Sequence, residues 1–175
     1  MELLEAIRGR RSIRRFTSAD VSDDEVREML GCAIMAPSAG NLQPWEFVVI
    51  RDEQRRRDIA RAAFFQFFIA TAPVVIVVCA NRARSAMRYG RRGSELYCLQ
   101  DTAAATQNML LTAHSMGLGA CWIGAFDEGE VSRILRLPEH VRPVAIVPIG
   151  HPDEAPRPPP RIPLERVTHL ETFRH

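Results

Sequence analysis

The chain has 175 residues, 46% of them apolar and 25% charged, with a formal net charge of +2. That length carries one domain with a substantial core and is short for two, and the composition excludes a disordered or fibrous chain. The near-neutral balance supplies no global field for nucleic acid or an anionic membrane. All 23 basic residues are arginine, so an isolated Arg cluster means less here than it would in a mixed sequence.

Residues 2–8 predict a short helix with Leu3, Leu4 and Ile7 on one face, broken by Gly9. Residues 1–5 lack the basic and apolar regions of a secretion signal, so a cytoplasmic protein is expected. The run Arg10-Arg11-Ser12-Ile13-Arg14-Arg15-Phe16 would place Arg10, Ser12 and Arg14 on one face if extended. Guanidinium forks donate two parallel hydrogen bonds to a phosphate, so these side chains could meet one anion; a solvated basic segment fits the same pattern. Ser22 and Glu25 have capping-box spacing. The helix they open should run to about Met35, with Val26, Met29, Leu30, Ala33 and Ile34 inward, ending before Pro37.

Residues 36–50, A-P-S-A-G-N-L-Q-P-W-E-F-V-V-I, form a turn-rich loop entering a strand. Pro37 fixes its φ, Ser38 and Asn41 can bond nearby backbone, and Gly40 tolerates positive φ. Pro44 closes the loop, and residues 45–50 read as a buried strand. Ser38, Asn41, Gln43 and the loop amides would offer donors and acceptors to the edge of a planar, heteroatom-rich ligand. A purely structural turn is the alternative.

Residues 52–63 predict a charged amphipathic helix leading into Phe64-Phe65-Gln66-Phe67-Phe68, where the polar Gln66 either faces solvent or is held near a bound ring. Residues 73–80 predict a buried strand. The most apolar run, 62–78, contains Gln66, Thr71 and Pro73 and falls short of the about 20 apolar residues of a membrane span. Residues 81–93 are Arg-rich and turn-prone, a mobile loop or a short helix. Residues 94–116 give the strongest helix, apolar nearly all round and therefore central or at a subunit interface; its His114 suits the negative end of the helix dipole. A short strand at 120–123 leads to Gly124-Ala125, a second place where backbone can approach a ligand. The glycines there follow a helix and precede a strand, the reverse of a dinucleotide fingerprint. A helix at 127–135, capped by Asp127, and a core strand at 143–150 complete the elements, which make a three-layer α+β or α/β domain.

Beyond them, Pro152, Pro156, Pro158, Pro159, Pro160 and Pro163 predict a stiff extended arm over 152–175 that carries Arg161 and lies on another surface, its own or a partner's. Cys32, Cys79, Cys98 and Cys121 form no C-x-x-C pair and read as free thiols, and the histidines lack ligand spacing, so no metal is expected.

Six motifs, in order over nearly the whole chain, carry a resemblance: R-R-S-I-R-R-F (10–16), A-P-S-A-G-N-L-Q-P-W (36–45), A-P-V-V-I-V-V (72–78), D-T-A-A-A-T-Q-N-M-L-L-T-A-H-S-M-G-L-G-A-C-W-I-G (101–124), V-P-I-G-H-P (147–152) and P-R-I-P-L-E-R-V (160–167). Together they resemble a compact member of the FMN-dependent nitroreductase family. The resemblance implies one α+β domain over 1–175, with three layers and a central, mostly antiparallel sheet flanked by helices. It further implies an intertwined homodimer with FMN at the interface and the arm packed on the partner.

By the same resemblance, Arg10, Ser12 and Arg161 would hold the FMN phosphate with Arg11 nearby, and Arg14 would lie by the N1/C2 edge. Pro37, Ser38, Ala39 and Asn41 would come from the other subunit, Gln43 and Gln66 would meet the pyrimidine edge, and backbone N–H groups of Ile123, Gly124 and Ala125 would face N5. The implied reaction is ping-pong transfer of hydride from NADH or NADPH through FMN to a nitroaromatic, quinone or related acceptor, with no side chain needed as nucleophile. Ala125 stands where larger members carry an acidic residue, and the segment at 82–93 is shorter than their lid. These departures leave open a same-fold flavin enzyme for dehydrogenation, dehalogenation or flavin fragmentation, or a non-enzymatic flavin-binding protein. An Arg-rich nucleic-acid binder would need aromatic residues interleaved with the Arg clusters, and this chain lacks them.

Overall fold

The capping box at Ser22 forms as its spacing demands: the Glu25 N–H donates to Ser22 Oγ at 3.2 Å and the Ser22 N–H to Glu25 Oε2 at 2.7 Å. It opens helix α2, Asp23–Ala33, which follows α1, Leu3–Gly9. This computed structural model describes residues 1–173; Arg174 and His175, the end of the expected arm, lie outside the described residues. Strand β1, Trp45–Ile50, is followed by α3, Glu53–Ala62, the short α4, Phe68–Thr71, and β2, Val74–Asn81. Then come α5, Arg82–Arg92, a π turn at Gly93–Tyr97, and the long α6, Cys98–Ser115. The two-residue β3, Gly119–Ala120, α7, Glu128–Leu135, and β4, Val141–Gly150, complete the order.

The strands form an antiparallel sheet in the order β1-β2-β4-β3. Along β2 the side chains alternate between two cores. Val74, Ile76 and Val78 face a cluster with Met29 and Ala33 of α2 and Ala105, Met109 and Ala113 of α6. Val75, Val77 and Cys79 face a second cluster with Ile59 and Ala60 of α3 and Val131 of α7. A sheet apolar on both faces must be covered twice, which gives the three-layer α+β arrangement.

One expectation left open is settled, and two are corrected. Residues 82–92 are a helix, capped by the Asn81 side chain accepting from the Arg84 N–H at 3.0 Å and broken at Gly90, φ 52°. The strand expected at 120–123 shrinks to Gly119–Ala120, with Ile123 held by an isolated bridge to Ile146. Ile34 is exposed rather than inward because α2 ends at Ala33. Leu3, Leu4 and Ile7 do share a face of α1, but it is exposed in the single chain. No helix among the described residues is long and apolar enough to cross a membrane.

Candidate functional site

The segment after α1 adds itself to the sheet edge. Ser12 forms a parallel bridge with Ala120, and the Ile13 N–H donates to the Ala120 carbonyl at 3.0 Å. Extended backbone alternates its side chains, so Ile13 is buried while Ser12 and Arg14 point the other way. Gly119 allows this approach, since a Cβ there would lie 2.8 Å from the Ile13 side chain.

The arm then folds back over the same segment. The Asp153 N–H donates to the Arg15 carbonyl at 2.9 Å, and Glu154 Oε1 accepts from the N–H groups of both Arg14 and Arg15. Arg161 thereby joins Arg10, Arg11, Ser12 and Arg14 around one cavity of about 380 Å³, together with Arg157. Elsewhere some arginines are neutralised, as in Arg51 with Asp20 and Asp23, Arg84 with Glu46, and Arg142 with Glu128, while others, Arg55, Arg88 and Arg136 among them, pair with no carboxylate among the described residues. Among the described residues none of the five guanidiniums at this cavity pairs with a carboxylate. Arg11 is partly turned away, since its Nη1 donates to the carbonyls of Arg8 and Arg10 at 2.7 and 2.8 Å. Several unneutralised forks and a hydroxyl around one space form a donor set for a multiply charged anion. Sequence reasoning missed Arg157 and Glu154: the basic residue in a Pro-rich arm that singled out Arg161 also marks Arg157, whereas Glu154 acts through backbone contacts without a local pattern.

Gln66 and the glycine turn are linked directly. Gln66 Nε2 donates to the Ala63 carbonyl at 2.9 Å and to the Ala125 carbonyl at 3.1 Å, tying the aromatic run to the turn. The Ile123 N–H donates to the Ile146 carbonyl at 2.9 Å, so this amide is committed to the sheet and cannot face a ligand. The amides of Gly124 and Ala125 have no acceptor among the described residues, and both residues are exposed. Phe64 and Phe65, at φ 55° and 62°, hold conformations that bulky residues rarely adopt. The Arg14 guanidinium carbon lies 6.0 Å from the Phe68 ring centre.

The loop before β1 is a separate structure. Ser38 Oγ accepts from the Gln43 N–H at 3.0 Å, and Gln43 Nε2 donates to Asn41 Oδ1 at 3.2 Å. Arg84 Nη1 donates to the Gln43 carbonyl at 2.6 Å, and Asp101 Oδ1 of α6 accepts from the Ala39 N–H at 3.1 Å. Gly40 sits at φ 57°, left-handed backbone that favours glycine, beside the side-chain ends of Tyr89 and Arg88. Asn41 and Gln43 also have positive φ, 57° and 50°; such strain persists where the surroundings over-determine it and concentrates at functional sites. Pro37, Asn41 and Gln43 are exposed, and Ser38 and Ala39 are half-buried.

Within one chain these two groups stand apart. The loop leads into β1 at one edge of the sheet, and Ser12 lies beyond β3 at the other. Four strand spacings of about 4.8 Å separate them by roughly 19 Å. Along α6, Asp101 beneath the loop and His114 beside Arg10 are also about 20 Å apart at 1.5 Å per residue. His114 lies in the last turn of α6, and burial first, then the fields of Arg10 and Arg11, hold its pKa below the ordinary histidine value.

Comparison with known proteins gives a consistent answer. The model of the nitroreductase family matches residues 7–67 and 60–151. An NADH dehydrogenase of Thermus thermophilus is 35% identical over 185 residues, spanning 90% of this chain and 90% of the relative. An FMN reductase (NADPH) of Bacillus subtilis is 31% identical over 183 residues, spanning 97% of this chain and 74% of the relative. The solved structure of NADPH:FMN oxidoreductase from Vibrio harveyi complexed with NAD+ superposes with a TM-score of 0.91 at 30% identity, over 98% of this chain and 78% of that one.

Proposed function

The chain belongs to the nitroreductase family, and from that premise we propose how its residues serve an NAD(P)H-dependent FMN oxidoreductase. The observation that carries the reading is the cavity where Arg10, Arg14, Arg157 and Arg161 meet Ser12 without a neutralising carboxylate. That donor set fits the phosphate of FMN, which offers a dianion and several acceptor oxygens. When bound, FMN supplies two-electron chemistry, linking oxidation of NADH or NADPH to reduction of a nitroaromatic, quinone or related acceptor in two half-reactions. Arg14 stabilises negative charge at the pyrimidine side of the ring by a fixed positive field. Gln66 and the free amides of Gly124 and Ala125 offer hydrogen bonds along the same edge of the chain.

The residues at 37–43 complete the site from a second copy. Their roughly 19 Å separation from Arg10 and Ser12 along the sheet supports this division. So do the exposed apolar side chains Leu3, Leu4 and Ile7 of α1 and Ile162, Leu164, Val167 and Leu170 of the arm: a lone chain has no reason to expose them together. The working unit is therefore a homodimer with FMN between the copies, acting in the cytoplasm.

Arg161→Ala and Arg10→Ala test the phosphate assignment. Each removes a charge-assisted hydrogen-bond donor worth about 1.5–3 kcal/mol, so FMN affinity measured by fluorescence titration should fall by roughly tenfold or more. The apoprotein should melt as the parent does, because neither side chain supports the core. Unchanged FMN affinity in both variants would remove the clamp from the reading.

A further inference from the structure

Asp101 is a buried acid whose position at the first turn of α6 is unexplained by packing. The residue is 7% exposed. One carboxyl oxygen accepts from the Ala39 N–H at 3.1 Å. The other, Oδ2, is enclosed and has no hydrogen-bond partner among the described residues. No cation lies against it: burial raises the carboxyl above the ordinary aspartate range, and the Ala39 amide alone opposes that effect. A half-satisfied buried acid is unfavourable, and an apolar residue of similar shape would serve the core better.

What the carboxyl does is hold the loop at its midpoint. Residues 38–43 otherwise close mainly on themselves, through Ser38 with Gln43 and Gln43 with Asn41. Two side chains from outside reach their backbone: Arg84 at the Gln43 carbonyl, and Asp101 at the Ala39 amide. Arg84 grips the end of the loop next to β1, whereas Asp101 grips the turn at Ala39–Asn41 that carries Gly40 and Asn41 in left-handed backbone. Without the Asp101 bond, nothing outside the loop would hold the Ala39 peptide against relaxation of that strained turn.

We infer that Asp101 is a positioning residue for the cofactor: through the Ala39 amide it fixes the surface of residues 37–41 that meets FMN, at a cost in stability from its orphaned oxygen. This rests on the reading that the loop contacts FMN, and it assigns to α6 a role that neither charge nor contact with the cofactor supplies. Its signature is a pair of opposite effects. Removing the acceptor weakens FMN binding while leaving the apoprotein as stable as before, or more so.

The test uses the full chain with Asp101→Leu and Asp101→Asn, titrated with FMN and melted as apoprotein. Asp101→Leu should bind FMN about tenfold or more weakly, with a melting temperature equal to or above the parent's. Asp101→Asn keeps an oxygen that accepts from Ala39 and should bind within about threefold of the parent. Ala39→Pro deletes the donor of the same bond and decides the matter where Asp101→Leu fails to fold. Ser38 is already extended at φ −142°, ψ 151°, the backbone favoured before proline. This variant should reproduce the loss of affinity. Parental FMN affinity in Asp101→Leu, or an equal loss in Asp101→Leu and Asp101→Asn, overturns the assignment. A parent protein that itself binds no FMN overturns the underlying reading and the assignment with it.

Discussion

Arg15 is matched by Asp153 at 3.5 Å, while Arg14 beside it lines the anion cavity with no carboxylate at ion-pair distance among the described residues. An unneutralised guanidinium beside a redox ring favours the reduced, more negative form. Arg14→Gln should therefore lower the two-electron midpoint potential, on the order of 30 mV for each ~1.4 kcal/mol of lost stabilisation; an unchanged potential in a spectroelectrochemical titration would count against this placement.

His114 reports on the same anion from the other side. Because its folded pKa is depressed, the native state binds fewer protons than the unfolded chain near pH 6.5, so its contribution to stability is present above that value and lost as the pH falls below it. An anion between Arg10 and Arg11 offsets their field, so NMR titration should show the His114 pKa rising when phosphate or FMN is added; no movement would place the anion elsewhere.

At this scale the alternation of Ser12, Ile13 and Arg14 and the Ser22–Glu25 box were legible, since both follow from local periodicity. Asp101 was not: in sequence it is one polar residue in an apolar helix, and its partner Ala39 lies 62 positions away.

Among the elements, the arm shows how far composition reaches. Its prolines forecast an extended strip without core contacts; residues 154–163 carry no regular element, and Leu164–Arg166 then turn into a 3-10 helix. Its destination follows from backbone bonds between Asp153, Glu154 and residues 14–15, which no pattern announces. The helix α5 was ambiguous for a physical reason: Gly90 and Gly93 weaken an otherwise helix-favouring run of arginine and alanine, and the Asn81 cap together with Arg84 bonding to Glu46 and Gln43 settles it. Past Arg161 the arm exposes Ile162, Leu164, Val167, Leu170 and Phe173. Deleting residues 162–175 should shift the protein from dimer toward monomer in sedimentation velocity at micromolar concentration, with far-UV circular dichroism little changed. A truncated protein that stays fully dimeric would show that the arm is dispensable for association.

For the whole molecule, the topology sets the argument. Sheet order was not readable from the sequence, because β1 and β3 differ in length and β3 has only two residues. Yet that order puts the loop at 37–43 and the Arg10–Arg14 segment on opposite edges, roughly 19 Å apart at strand spacing, which supports the proposed division of the site between two copies. In the proposed homodimer, closed two-fold pairing would bring the two edges together twice and give two equivalent sites.

Co-expression of two inactive chains addresses this division directly. One chain carries Arg10→Ala with Arg161→Ala; the other carries Pro37→Trp, which blocks the exposed face of the loop. If each site draws on both copies, random pairing makes about half the dimers hybrid with one intact site of two, restoring about a quarter of parental FMN content and NAD(P)H oxidation. Tagged hybrid dimers that remain colourless and inactive, when each homodimer is folded, would show that the two groups of residues do not share a site.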